Sequence, residues 1–239
     1  MNPYIPISSA VMSVRSHPVA ILAIDTCSLL DIARIPIRSK KAINARQSID
    51  AINMIKTKSS MTPLELYILI AEQVVKEWHE NEENVHKELK RHIETIDQYH
   101  SVACSVADGL GTPLPAINIS YASIETRVRG MQMFLIDKAL ILAQDKSIND
   151  DAIGRALKDI PPARKGTVKD TVIYLHYLRF FKALRAAGTS SPCVLLSSNT
   201  KDYCADDRIS PKPEIESELT PLGVAFETDW RCAVRSLGL

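Results

Sequence analysis

No apolar run in the 239-residue sequence approaches the roughly 20 residues that a membrane-spanning helix needs. The run over residues 19–24 holds six residues and predicts a core strand instead. The first eighteen residues lack the basic stretch and apolar core of a secretory signal, and they read as a short leader ahead of that strand. Cysteine is scarce and unpaired: Cys27, Cys104, Cys193, Cys204 and Cys232 are scattered, with no C-x-x-C spacing. Such a set argues against a disulfide framework and a structural zinc site, and makes a reducing cytoplasm the expected compartment. Neither sign of charge dominates. The formal net charge of +1 is uninformative about nucleic acid, because local distribution matters more than the total.

Several motifs are missing as well. Gly109-Leu110-Gly111 lacks a third glycine and follows no strand, which removes a dinucleotide site. There is no phosphate-binding P-loop and no G-x-S-x-G elbow. His79-Glu80-Asn81-Glu82-Glu83 breaks the H-E-x-x-H zinc pattern at Glu83. No internal repeat or low-complexity segment occurs.

What is there is a set of short, unbroken apolar runs separated by helical patterns. Residues 19–24, 66–70, 193–197 and 224–227 predict strands, the first three of them with the continuous apolar character of strands buried on both faces. Helical patterns fall over residues 38–58, 72–106, 120–144, 150–158 and 167–187, the last closed by Gly188. Strands alternating with helices, without hairpin signals, predict an α/β fold: a three-layer sandwich around a central, mostly parallel sheet. Ligands in such folds bind beyond the carboxyl ends of the strands.

Acidic and polar side chains fall at those ends. Asp25 follows the first strand directly, where it either caps the next helix or binds a cation. Glu77 lies just past the second strand in a helix that also carries surface glutamates, and Glu72 competes with it. Asp170 stands three residues after Thr167, a spacing that a capping box also explains. The fourth run ends in Ser197-Ser198-Asn199-Thr200-Lys201-Asp202-Tyr203, which a Ser/Thr or Asx turn would equally produce. Their coincidence at one end of a sheet favours a shared role. Oxygen-only ligands suit Mg²⁺ or Mn²⁺, and a pair of such ions roughly 3.5–4 Å apart can drive phosphodiester cleavage.

The four segments around Asp25, Glu77, Asp170 and Asn199, in that order, resemble the PIN-domain nuclease superfamily. The resemblance is closer to the larger, bacterial-type members than to compact toxins. It implies Asp25, Glu77, Asp170 and Asp202 as metal ligands for Mg²⁺ or Mn²⁺, with Asn199 or Asp202 at the fourth catalytic position and Ser197 orienting ligands or water. It implies a cytoplasmic metal-dependent endoribonuclease acting on single-stranded or structured RNA. Such an enzyme would be a toxin or an RNA-processing enzyme, and the resemblance admits an antitoxin or other protein partner, or a homo-oligomer. Two alternatives accompany it: an inactive PIN-like module that binds RNA or protein, and a structure-selective DNA nuclease. Two departures stand out. Cys27 occupies a position where many PIN domains have asparagine, and ninety-two residues separate Glu77 from Asp170. The excess length reads as a helical insertion over residues 85–150 within a single domain spanning 1–239. The basic run Arg155, Lys158, Arg164, Lys165 and Lys169 faces one acid, Asp159. It is either a solvated helix end or, for Arg164, Lys165 and Lys169, a set of phosphate contacts beside the metals. Tyr203 would stack a base or belong to the core.

Overall fold

The computed structural model describes residues 4–38, 42–115, 120–163 and 167–239. The chain enters through helix α1 (Ile7–Ser16) and strand β1 (Ala20–Ile24), then turns into α2 (Thr26–Asp31), α3 (Ile35–Arg38) and α4 (Ala42–Lys58). Strand β2 (Leu66–Ala71) runs without a loop into α5 (Glu72–Gly109), and α6 (Tyr121–Lys138) returns to strand β3 (Leu140–Leu142). Helices α7 (Lys146–Leu157) and α8 (Lys169–Ala186) precede strand β4 (Cys193–Leu196). The short α9 (Thr200–Tyr203), then α10 (Pro213–Leu219), β5 (Val224–Glu227) and α11 (Trp230–Ser236) complete the fold.

Among the described residues, five strands form one sheet in the order β3-β2-β1-β4-β5, and every neighbouring pair is parallel. This is the expected α/β sandwich. All five residues of β1 are buried, as a central strand covered on both faces requires. Helix α8 packs on α1 and β2, while α11 packs on α4, β4 and β5. No helix among the described residues is long and apolar enough to cross a membrane.

Two elements differ from the sequence reading. The stretch read as a leader holds α1, whose Ala10, Val11 and Val14 are buried and lie on one helical face. The helix expected over residues 120–144 ends at Lys138, and Leu140–Leu142 forms an edge strand beside β2. Three residues are too few for strand periodicity to separate from the helical pattern before them. The 85–150 stretch therefore supplies part of the sheet as well as helices.

The strand order decides where chemistry can sit. From β1 the chain moves outward to β2 and β3, then crosses back to β4 and β5 on the other side. The connections leaving β1 and β4 thus diverge, which opens a crevice at their carboxyl ends. On the other side of β1, the β1–β2 ladder is registered as far as Ala23 opposite Leu69. Beyond that point the Tyr177 hydroxyl, reaching in from α8, accepts from the Ala71 amide (3.0 Å) and donates to the Ile24 carbonyl (2.6 Å). One buried side chain thus replaces the missing ladder bond and holds the strand end that carries Asp25. Tyr177→Phe leaves two buried backbone groups without partners, so it should lower the unfolding free energy by roughly 2 kcal/mol in a urea titration. An unchanged midpoint would show that the hydroxyl is not needed.

Candidate active site at the carboxyl end of the sheet

Asp25 ends β1 and is fully buried. It occupies the position before α2, yet its carboxylate makes no capping bond. Instead, Oδ2 accepts from the Ser197 hydroxyl at 2.7 Å across the β1–β4 crevice, and Oδ1 is buried with no donor in hydrogen-bond geometry. The capping explanation for Asp25 therefore fails, because the side chain turns into the crevice. Ser197 also accepts from the Asn199 amide (3.2 Å), which fixes the turn leaving β4.

Glu77 stands on the second turn of α5 and is buried despite its charge. Thr26, the residue after Asp25, donates to Glu77 Oε2 (2.8 Å), and Gln73, one turn earlier on α5, donates to Oε1 (3.0 Å). Glu72 is committed elsewhere: it pairs with Lys76 and accepts from the Gln144 amide. The structure thus separates the two candidates; of the remaining α5 glutamates, Glu80, Glu83, Glu88 and Glu94 are exposed and Glu82 is half-buried against Arg129.

Asp170 lies in the first turn of α8. The expected Thr167 cap does not form, because the helix opens at Lys169 with Val168 at its N-cap and no side-chain capping bond. Asp170 is free of that role and faces Asn199, whose Nδ2 donates to Asp202 Oδ2 (2.8 Å) and reaches Asp170 Oδ1 at 3.4 Å. One amide therefore stands between two carboxylates and links the fourth pair of candidates. Tyr203 is in the core: it is fully buried, stacks on Phe226 and donates to the Asp170 carbonyl. It cannot stack a base.

The acids share one electrostatic field. Burial, then Asp170 and Glu77, push Asp25 up to about 7, against the opposing Ser197 bond. Burial, then Glu77 and Asp202, push Asp170 up to about 6, with Asn199 opposing. The Cys27 thiol is held well above its ordinary range by burial and by Asp25 and Asp170, so it stays protonated beside them. Among the described residues no group of three or more His, Cys, Asp or Glu side chains is placed to hold a metal ion. The neutral donors of Ser197, Thr26, Gln73 and Asn199 lie where charge neutralisation is needed, one set against each carboxylate. Even so, a buried Asp25 oxygen without a donor and two acids held up by burial and like charge are what a cation would relieve. The donor set, all oxygen, fits Mg²⁺ or Mn²⁺.

An open cleft of about 300 Å³ leads to this cluster, lined by Glu77, Asn81, Thr167, Val168, Lys169 and Asp170. Lys169 is exposed at its mouth and pairs with Glu80 at 2.9 Å. Arg164 and Lys165, expected beside it, lie outside the described residues. Arg155 departs from the basic-surface reading. Its guanidinium is mostly buried, bound to Glu218 and to the Pro161 carbonyl, and lies over the Tyr174 ring. It anchors the end of α7 to α10 and is structural.

Sequence reasoning missed Thr26, Gln73, Asn81 and Tyr177. Gln73 and Asn81 stand four residues before and after Glu77, and Tyr177 stands seven after Asp170, so helical spacing from the acids was the available signal. No family model, no curated protein and no solved structure matches the chain.

Because Asp25 and Asp170 are raised in the folded protein, the native state keeps protons that the unfolded chain releases between about pH 4 and 7. The cation-free protein should therefore lose stability as pH rises through that window. Asp25→Asn keeps an acceptor for Ser197 and removes the charge, so in chelator at pH 8 it should melt roughly 5 °C or more above wild type. At pH 4 the gap should nearly close. Calorimetry showing the variant less stable at pH 8 would contradict the buried-charge account.

Proposed function

We propose that the chain is a metal-dependent endoribonuclease of the PIN-like kind, with Asp25, Glu77, Asp170 and Asp202 as its cation ligands. The observation that carries the reading is the buried, half-partnered Asp25 carboxylate, coupled to Asp170 and Glu77 at the strand-order switch point. The ordered resemblance of the four segments supports it independently. When bound, divalent cations supply an activated water and a stabilised leaving oxygen for adding water across a P–O bond.

The chain's own groups set the geometry for that chemistry. Ser197 holds Asp25 in one rotamer, Thr26 and Gln73 hold Glu77, and Asn199 spaces Asp170 from Asp202. Lys169 stands at the mouth of the cleft, where it can exchange Glu80 for a substrate phosphate. Arg164 and Lys165 precede it in the sequence and belong to the same basic stretch. A site assembled only to hold RNA has no use for four carboxylates beside the phosphate, which argues against the binding-module alternative.

The test is cleavage of end-labelled single-stranded and hairpin RNA, and of matched DNA, with Mg²⁺, Mn²⁺ or chelator. RNA cleavage should require the cation and fall by roughly 100-fold or more in Asp25→Asn and in Asp170→Asn. Preferential cleavage of DNA would reassign the enzyme to DNA. RNA binding without cleavage under every condition would make it a binding module.

A further inference from the structure

Helices α4 and α6 do not close on each other along their whole length. Between them, beside the turn from α2 into α3, runs an open crevice of about 670 Å³. That volume falls in the range of small-molecule sites, roughly 300–1,000 Å³. Its walls are largely apolar. Ile32 and Ile35 are buried beside the α2–α3 turn, Ile49 faces in from α4, and Ile124, Val128 and Met131 face in from α6. At Gly130, which also lines the crevice, a Cβ would meet no atom within 4 Å, so the space is open there.

Charge in the crevice has one sign. Arg46, Lys56 and Arg127 line it, and among the described residues no carboxylate does. Arg46 meets Asp50 only at 3.8 Å, with side chains 82% and 65% exposed, so water screens that pair. Arg127 is exposed and makes no ion pair among the described residues. The two guanidiniums come to the same end. Helices α4 and α6 lead into the neighbouring parallel strands β2 and β3, so they run in the same direction. Lys56 Nζ lies 5.0 Å from the centroid of the Phe134 ring, which sets those two residues level. Two turns back stand Ile49 on α4 and Arg127 on α6, and Arg46 is one turn further. Lys56 closes the other end, roughly 15 Å from Arg46 along α4.

Two guanidinium forks at the head of an apolar track match a ligand that is charged at one end and hydrocarbon along its length. We propose that this crevice binds a single-chain anionic amphiphile. Arg46 and Arg127 hold its carboxylate or phosphate head, and its tail lies along Ile49, Val128 and Met131 toward Lys56. A polar metabolite leaves the apolar walls unfilled, and an uncharged hydrocarbon leaves both arginines without a partner. The site stands independently of the nuclease reading, because it shares no residue with the carboxylate cluster.

The test is calorimetric titration of the full chain with decanoate and with decyl phosphate, each below its micellar concentration. At least one should bind saturably at one site per chain, and the tighter of the two identifies the head group. Decyltrimethylammonium, with the same chain and the opposite charge, should bind more weakly by roughly tenfold or more. The double variant Arg46→Gln, Arg127→Gln changes only exposed side chains, so it should keep its circular dichroism spectrum and melting profile. It should weaken anion binding by roughly tenfold or more. Gly130→Phe places a ring in the open part of the crevice at a helical position where glycine is the poorer residue, so it should abolish binding without lowering the melting temperature. No saturable binding of either anion, equal binding of the cation, or an unchanged affinity in either variant overturns the proposal.

Discussion

Asp25 lies fully buried at the end of the central strand, with Asp170 and Glu77 in its field and one of its oxygens without a donor. Much of the surrounding structure serves to keep that carboxylate in place. The parallel order puts β1 next to β4, so Ser197 can reach across to Asp25. The strand end itself is held by Tyr177, which stands in for a lost ladder bond between Ile24 and Ala71. Burying a carboxylate beside two others costs stability in the absence of a counterion. A fold tolerates that cost most readily where function demands it.

Neutral donors moderate the repulsion without removing it. Thr26 and Gln73 bind Glu77, and Asn199 sits between Asp170 and Asp202. Each donor fixes a side-chain orientation, and each leaves the carboxylate charge in place. The arrangement therefore fixes the side chains while keeping their mutual repulsion, the state that a bound cation would relieve. Cys27 fits the same logic: as a half-buried, protonated thiol it adds no further charge to the cluster.

The sheet was largely legible in the sequence because buried parallel strands are unbroken apolar runs. Residues 66–70, 193–197 and 224–227 match β2, β4 and β5 to within a residue. β3 was hidden because three residues against the end of a helix carry no period of their own, and α1 because its apolar face is only three residues wide. At the site, Asp25, Glu77, Asp170, Ser197, Asn199 and Asp202 could be nominated from their places after strands and at helix starts. Their partners could not, since whether Thr26 serves Glu77 or the backbone depends on the angle at which α5 leaves β2. The same limit applies to Arg155. Sequence shows a cation in a basic run, and only packing shows it bound to Glu218 and lying over the Tyr174 ring.

The claim at the centre is that a divalent cation completes the carboxylate cluster, and proton counting tests it most directly. Mn²⁺ would be titrated into the protein at about pH 6.5 by calorimetry, in two buffers of different ionisation enthalpy. Asp25 and Asp170, held at about 7 and about 6, must give up protons to bind it. The account predicts saturable binding with release of roughly one proton per chain, both lost in Asp25→Asn. Binding without proton release, or no binding at all, would contradict it.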